Sequence, residues 1–471
     1  MRSVNYKFPF LQKLSPLADS NNSRGNFQST LIFVLASLAS AVGVANLIAF
    51  PQLFYTHGIL FLFVYLFFTL TVGIPLMSME ISVGHKTKAS PVIAYATIGG
   101  GKWKSIGIVN IICCFVLFSI FIIFLTWTTR YFIGFLFDTT PSSFQTYGQS
   151  RAGEVIVIAA ALIAVNVFVV ALGVSDGIGR VSKIVVPVFG VMLLFFAIRN
   201  LSDWAAVETS FGKAFGTFPQ NINEWKAMLS DALGQAFFSL SLGAGSMLMY
   251  GSYLKNEPAS NHPKKIITLS NIIVQSDTIV GIMCCLFVFP LGVSMEPGPA
   301  FVFETLNHYF SALAYSKVLG SIFFLSLSFI ALGMTISVFE PVVGSAVETL
   351  KKPRWVIAIT IGFLAFLLFI PIALSFGGSN MFTNFIGVHD KTRSFFDLAF
   401  DLFINIALPV SGLLTVLFVN RVWTLPAFEA ESGLDNSSSF VRRWMRLCAR
   451  FLTPALLIVV LISKLSAFLA N

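Results

Sequence analysis

The sequence predicts an all-α polytopic membrane protein. Three observations carry this. Eleven apolar runs of about 20 residues or more follow one another along the chain. Each is long enough to cross a hydrocarbon layer of ~30 Å. Hydrophobic residues make up 56% of the 471 positions and charged residues only 11%, against about 25% charged in an average soluble domain. Lysine and arginine also fall unevenly. About two-thirds of the 30 lie in the tail and in the loops on the side of the N-terminus, which explains the net charge of +9. That bias is the positive-inside signature, so no nucleic-acid partner is implied. With so many spans, a helical bundle is the form that satisfies the backbone inside lipid.

The runs cover 28–54, 59–83, 105–137, 154–173, 181–200, 230–254, 266–291, 316–349, 355–376, 395–421 and 444–469. The charge bias places the N-terminus in the cytoplasm of a cell's plasma (inner) membrane, and an odd number of spans places the C-terminus outside. A polar tail, 1–26, precedes span 1, which is expected to act as its own targeting signal. Residues 27–200 hold five spans, 201–229 an outer loop with a short interfacial helix, 230–422 five more spans, and 423–471 an inner loop and span 11. The segment 296–310 reads as an outer, re-entrant loop. In span 5, Gly177 and Pro187 mark a place where the inner end can kink or unwind. The five cysteines form two adjacent pairs and one single residue, with neither a disulfide framework nor metal-ligand spacing. No HExxH, G-x-S-x-G or P-loop motif occurs, so the chain is not read as an enzyme.

Asp277 stands near the middle of span 7. A carboxylate at that depth costs ~2.5–3.5 kcal/mol to insert and marks a functional site when something cationic or polar meets it. Two spans carry breaking clusters at mid-depth: 40–46 (Ser-Ala-Val-Gly-Val-Ala-Asn) in span 1 and 239–245 (Ser-Leu-Ser-Leu-Gly-Ala-Gly) in span 6. They open two consecutive five-span groups. Either alone suits close helix packing through small residues. As a matched pair they point to a midplane binding site made of unwound backbone.

These residues resemble the neurotransmitter:sodium symporter family. The resemblance rests on 41–46 followed by Phe50-Pro51, and on Gly73-Ile74-Pro75 with Glu80 and Gly84 in span 2. It rests also on Gln235 to Gly245 in span 6, Asp277-Thr278 with Phe289-Pro290 in span 7, and Glu340-Pro341 in span 8. Trp127 in span 3 and Asn405 with Leu408-Pro409 in span 10 fit as well, and the likeness covers roughly 26–465. It implies a LeuT-like fold: two inverted five-helix repeats plus an eleventh helix, in the bacterial eleven-span form.

The family implies a first sodium site. Carried over, its ligands are the Ala41 carbonyl, the Asn46 side chain, Ser239 and Asp277, a set of oxygens suited to a hard cation. The fixed charge of Asp277 implies independence from chloride, with Gly281 where a chloride-site group would stand. Tyr65 and Gln235 are assigned to the surrounding polar network, and Glu80 and Glu340 to ties with backbone amides or inner loops. A second sodium site would use the carbonyls of Ala39, Val42 and Ile330 with two hydroxyls on span 8. Those two positions are Gly333 and Met334, so this site is expected to be weakened or absent. Thr335 and Ser337 are rotated away by about 100° per residue. The family's gate arginine maps to Ala49 and its aspartate to Phe400, with Asp401 one place off, which implies a hydrophobic outer gate.

The implied substrate pocket is lined by Ser40, Ala41, Val44, Ala45, Leu117, Phe121, Phe238, Ser239, Ser241, Ala244, Met334 and Val338. It is apolar and holds no cationic side chain. The expected cargo is a small molecule, best an apolar amino acid whose carboxylate reaches the sodium and the amides near Val44 and Ala45. The leading expectation is therefore a sodium-coupled symporter working by alternating access, with Na+ as the co-transported ion, no prosthetic group, and the lipid bilayer as its surroundings. Two other readings stay open: a proton-coupled transporter of the same fold, with Asp277 titrating, and a membrane sensor that binds ligand without transporting it.

Overall fold

In a computed structural model, residues 25–200, 204–255, 266–293, 295, 298–388 and 391–470 are described. Nine helices among them are long and apolar enough to span a membrane, from Ile59–Thr87 to Ser439–Leu469. A tenth span is the bent pair Thr30–Ala41 and Asn46–His57, which meet at 53°. The remaining interrupted segment is Ile222–Ser239 followed by Ser246–Ser252. Its first half, 18 residues long, is not apolar enough to count as a span, and its second half has only 7. Against the eleven expected runs, the described residues thus hold nine spanning helices and one bent pair, and the helix breaks fall in the segments 40–46 and 239–245. Spans are numbered below as in the sequence.

Span 8 (Ser316–Leu350) packs along span 3 (Gly101–Phe137) and also touches spans 1, 4 and 5. Its buried face is nearly continuous from Gly320 to Ser345. Gly320 lets it approach span 3, since a Cβ there would lie 2.3 Å from the Phe135 ring. The lower half of span 6 packs on span 2, and there a Cβ on Gly84 would fall 1.8 Å from the Leu248 carbonyl oxygen. Span 2 carries one π-helical turn, Thr69–Gly73, just before Pro75. Proline cannot donate to the ladder, so the turn widens there.

In span 5, a π-helical turn Val174–Ile178 precedes the helix Gly179–Asn200. A Cβ on Gly177 would fall 2.0 Å from the Val169 carbonyl oxygen, so that glycine serves a close crossing with the end of span 4. The segment after span 7 forms a π-helical turn, Phe301–Leu306, and a short helix, Asn307–Ser311; Glu296 lies outside the described residues. Between spans 9 and 10 a small antiparallel hairpin pairs Ile386–Val388 with Lys391–Arg393. The helix Trp204–Gly216 sits where an interfacial helix is expected. The N-terminal tail to residue 24 lies outside the described residues.

Candidate functional site

Both breaks follow from local chemistry. Span 1 stops at Ala41, and Val42 turns to an extended conformation, φ −71° and ψ 123°. The Gly43 N–H then donates to Asn46 Oδ1 at 3.2 Å, so Asn46 satisfies a backbone group that the break would strand. In span 6, Gly243 and Gly245 take φ of 79° and 81°, and Ser241 takes 50°. Left-handed residues cannot continue a right-handed helix. The freed groups find partners on spans 2 and 3. The Gly243 N–H donates to Glu80 of span 2 at 2.8 Å. Asn110 of span 3 donates to the Gly243 carbonyl at 2.7 Å and to Ser411 of span 10 at 2.7 Å. The Cys114 thiol donates to the Ala244 carbonyl at 2.9 Å. Ser241 Oγ donates to the Ser40 carbonyl at 3.2 Å, tying the two breaks together.

Asp277 lies beside these breaks and is fully buried. Ser239 Oγ donates to its Oδ2 at 2.5 Å and the Tyr65 hydroxyl donates to the same oxygen at 3.1 Å. Asn46 Nδ2 donates to Oδ1 at 2.8 Å. All three partners are neutral. Span 1 supplies Asn46, span 2 Tyr65, span 6 Ser239 and span 7 the carboxylate. The edge of Phe50 packs on the Tyr65 ring, centroids 5.0 Å apart. A Cβ on Gly281 would lie 2.9 Å from the Phe50 ring, so Gly281 serves packing.

A cavity of about 590 Å³ leads from the face opposite the start of span 1 at Thr30 down to Val44, Phe121, Phe238 and Met334. Four of the expected pocket residues are thus brought together at its base. Ser40, Ala41, Leu117, Ser239, Ser241, Ala244 and Val338 are buried and do not line this open space. The side chain of Ala45 lies outside the described residues. Phe238 faces Phe400 across 6.0 Å, and Phe400 packs on Phe396, so aromatic rings do stand over the base.

The mouth corrects the hydrophobic gate. Gln52, Arg393, Asp397 and Asp401 line it with Ala49 and Phe400. Asp401 pairs with Arg393 of the hairpin at 3.4 Å and accepts from Asn405 at 2.7 Å. The vestibule aspartate therefore has an arginine partner, supplied by the loop after span 9 and not by span 1. Matching position to position could not find it, because Arg393 occupies no gate position in the chain order.

At the opposite face the path is shut. The Phe27 ring packs among Phe33, Tyr250 and Tyr253, and its N–H donates to the Tyr253 carbonyl at 3.1 Å. The Tyr253 hydroxyl donates to Glu340 at 2.5 Å, and Glu340 also pairs with Arg354. Arg354 donates in turn to the Val170 carbonyl at 2.7 Å.

A model of the Sodium:neurotransmitter symporter family matches residues 24–146 and 142–471, together nearly the whole chain. The chain belongs to this family. It is a transporter family and not an enzyme class. Among relatives, an uncharacterised sodium-dependent transporter YhdH of Bacillus subtilis is 28% identical over 92% of this chain and 96% of its own length. A sodium- and chloride-dependent glycine transporter 1 of Xenopus laevis is 25% identical over 76% of this chain and 68% of its own. The crystal structure of MhsT in complex with L-phenylalanine superposes with a TM-score of 0.82 at 28% identity, covering 94% of this chain and all of that one. The fold is thus the LeuT-like one, and the protein is a multi-pass, sodium-dependent symporter.

In this symporter the region of the second sodium site is apolar. A Cβ on Gly333 would meet the Ala39 Cβ at 3.0 Å and the Ala39 carbonyl oxygen at 3.4 Å, so position 333 does face span 1. Thr335 donates instead to Asn166 of span 4 at 2.9 Å, and Ser337 donates to the Met334 carbonyl at 2.7 Å. Ala39, Val42 and Ile330 are all buried. Glu80 and Glu340 hold backbone and loop groups as expected. Asn110 and Cys114 had no sequence signal beyond being polar atoms inside an apolar run.

Proposed function

We propose that the protein couples the entry of sodium to the uptake of an apolar amino acid, one sodium ion being bound by the Ala41 carbonyl, Asn46, Ser239 and Asp277. The observation that carries this is Asp277: a fully buried carboxylate whose partners are an amide and two hydroxyls, placed where spans 1 and 6 are both interrupted. Such a charge is costly in a bilayer unless a cation joins it. Asn46 Oδ1, which accepts from the Gly43 N–H, has a second lone pair to offer the ion. The hydroxyls of Ser239 and Tyr65 can rotate to keep or release Asp277.

The cavity supports the choice of cargo. Val44, Phe121, Phe238 and Met334 present apolar groups at its base. Phe121 has no hydroxyl to anchor a carboxylate, so that group of the substrate is directed to the sodium and to the freed amides by Val44 and Ala45. Aromatic pairing with Phe121 and Phe238 favours a mid-sized or large side chain. The L-phenylalanine held by MhsT fits this class.

The basic face is assigned to the cytoplasm and the C-terminus to the outside. The cavity then opens outward, while the Phe27 cluster and the Tyr253–Glu340–Arg354 chain shut the inner side. Transport requires the reverse: rings close over the cargo and the Phe27 plug withdraws. The membrane potential adds ~2.3 kcal/mol per charge per 100 mV to inward movement of the ion.

The test is uptake into proteoliposomes from a panel of apolar amino acids, with an inward gradient of sodium or of choline. Sodium-driven accumulation is expected. Uptake driven by a proton gradient alone would assign Asp277 to proton coupling. Ligand binding without counterflow would make the protein a sensor.

A further inference from the structure

Spans 4 (Ala152–Ala171) and 9 (Arg354–Leu374) leave a furrow on their membrane-facing side, with a volume of about 460 Å³. Its lining is apolar throughout. Ala160 and Ala164 of span 4, both exposed, and Gly362 of span 9 make the space. On span 9 the furrow runs from Trp355 to Phe366. At 1.5 Å per residue that is about 16 Å, half of a hydrocarbon core of ~30 Å. The furrow is therefore one leaflet deep.

Its end at the basic face is charged. Span 8 stops at Leu350, Lys351 adopts a left-handed conformation with φ 53°, and the chain turns through Lys352 and Pro353 into span 9. Lys351 and Lys352 are both exposed, and among the described residues neither is in an ion pair. The next cation, Arg354, points inward to Glu340 and the Val170 carbonyl, so it does not compete for a ligand at the surface. Trp355, 42% exposed, stands at this same level, where tryptophan suits the water–lipid boundary.

We propose that this furrow holds one acyl chain of an anionic phospholipid from the leaflet on the basic face, with the lipid phosphate on Lys351 and Lys352. Length, apolarity and charge agree with that occupant. Paired lysines beside an interhelical groove recognise a phosphate headgroup. A second copy of the chain fits poorly. Ile359 and Phe363, 53% and 60% exposed, line the furrow on span 9 opposite Ala160 and Ala164, and bulky side chains there oppose the close backbone approach of another helix more than the entry of a single hydrocarbon chain. A two-fold contact here would also bring like charges together.

The experiment uses the full-length protein in detergent micelles. It is titrated with dioleoyl phosphatidylglycerol or with dioleoyl phosphatidylcholine, and bound lipid is counted by native mass spectrometry. One tightly retained phosphatidylglycerol is expected, with a preference that falls as salt is raised. Lys351→Gln with Lys352→Gln should weaken it about thirtyfold, equivalent to ~1 kcal/mol for each lysine. Ala164→Phe fills the furrow from an exposed position and should remove binding of either lipid while leaving the melting temperature of the lipid-free protein unchanged. Equal retention of the two lipids, or a double-lysine variant within twofold of the parent, overturns the proposal. So does cross-linking of Ala164→Cys between two copies in native membranes, which gives the furrow to a second chain.

Discussion

Replacing Asp277 by asparagine separates the charge of the site from its packing. The carboxylate accepts from Asn46 at 2.8 Å on one oxygen, and from Ser239 at 2.5 Å and Tyr65 at 3.1 Å on the other. An asparagine can keep its oxygen toward the Asn46 amide and turn its NH2 toward the two hydroxyls, which accept as readily as they donate. The ion-free fold should therefore stay intact. The sodium-bound state loses its one carboxylate ligand. Removing one partner of a buried charge pair costs about 3–5 kcal/mol, so apparent sodium affinity should fall at least a hundredfold. The assay is the melting temperature of purified protein against sodium concentration, with gluconate as the sole anion. Bound ion stabilises by RT ln(1 + [L]/Kd), about 2.7 kcal/mol at a hundred times Kd. The parent should show a saturating rise, and Asp277→Asn a nearly flat line from the same starting value. An unchanged sodium curve in the variant refutes the ion site. A lower starting value with an unchanged curve would show that Asp277 is structural.

Other outcomes are as definite. Glu80→Ala strands the buried Gly243 N–H and should cost about 1–3 kcal/mol of stability, while Glu80→Gln, which keeps an acceptor, should recover most of it in thermal unfolding. Gly333→Ser places a hydroxyl beside the Ala39 carbonyl, and should raise the Hill coefficient for sodium above the value of about one expected of the parent, as read by sodium-dependent binding. Two sodium ions per cycle in the parent would contradict this reading of span 8. Met334→Ala enlarges the cavity base and should shift the preference toward larger apolar side chains in competition binding; an equal loss for small and large ligands would remove Met334 from the substrate contact. At the basic face, hydrogen bonds from Arg446 and then Arg442 hold the Glu429 carboxyl below the ordinary carboxylate range. Its contribution is complete above the unfolded value of about 4.3 and is lost as pH falls through the lower folded value. Proteolysis within 425–447 should therefore quicken only in that acid window, and Glu429→Gln should quicken it at neutral pH.

The sequence by itself determined the class, the two broken helices and the carboxylate between them. Each is a local property: a run long enough to span lipid, a pair of glycines that cannot stay helical, a charge with no place in hydrocarbon. Tertiary structure decided which groups meet. Asn110 reaches the Gly243 carbonyl across 133 residues of chain and Ser411 across 301; nothing in the apolar run around it marks that face. Arg393 meets Asp401 because a hairpin folds back over the cavity mouth, so the vestibule pair comes from a position that register alone reads as loop. Gly333 faces span 1 while Thr335, two residues on, faces span 4. Helical rotation predicts that they diverge, and only the packing of span 8 among spans 1, 3 and 4 fixes which of them faces the Ala39 carbonyl. Partners so far apart in sequence are joined by the crossing of helices, and a crossing is a property of the whole bundle.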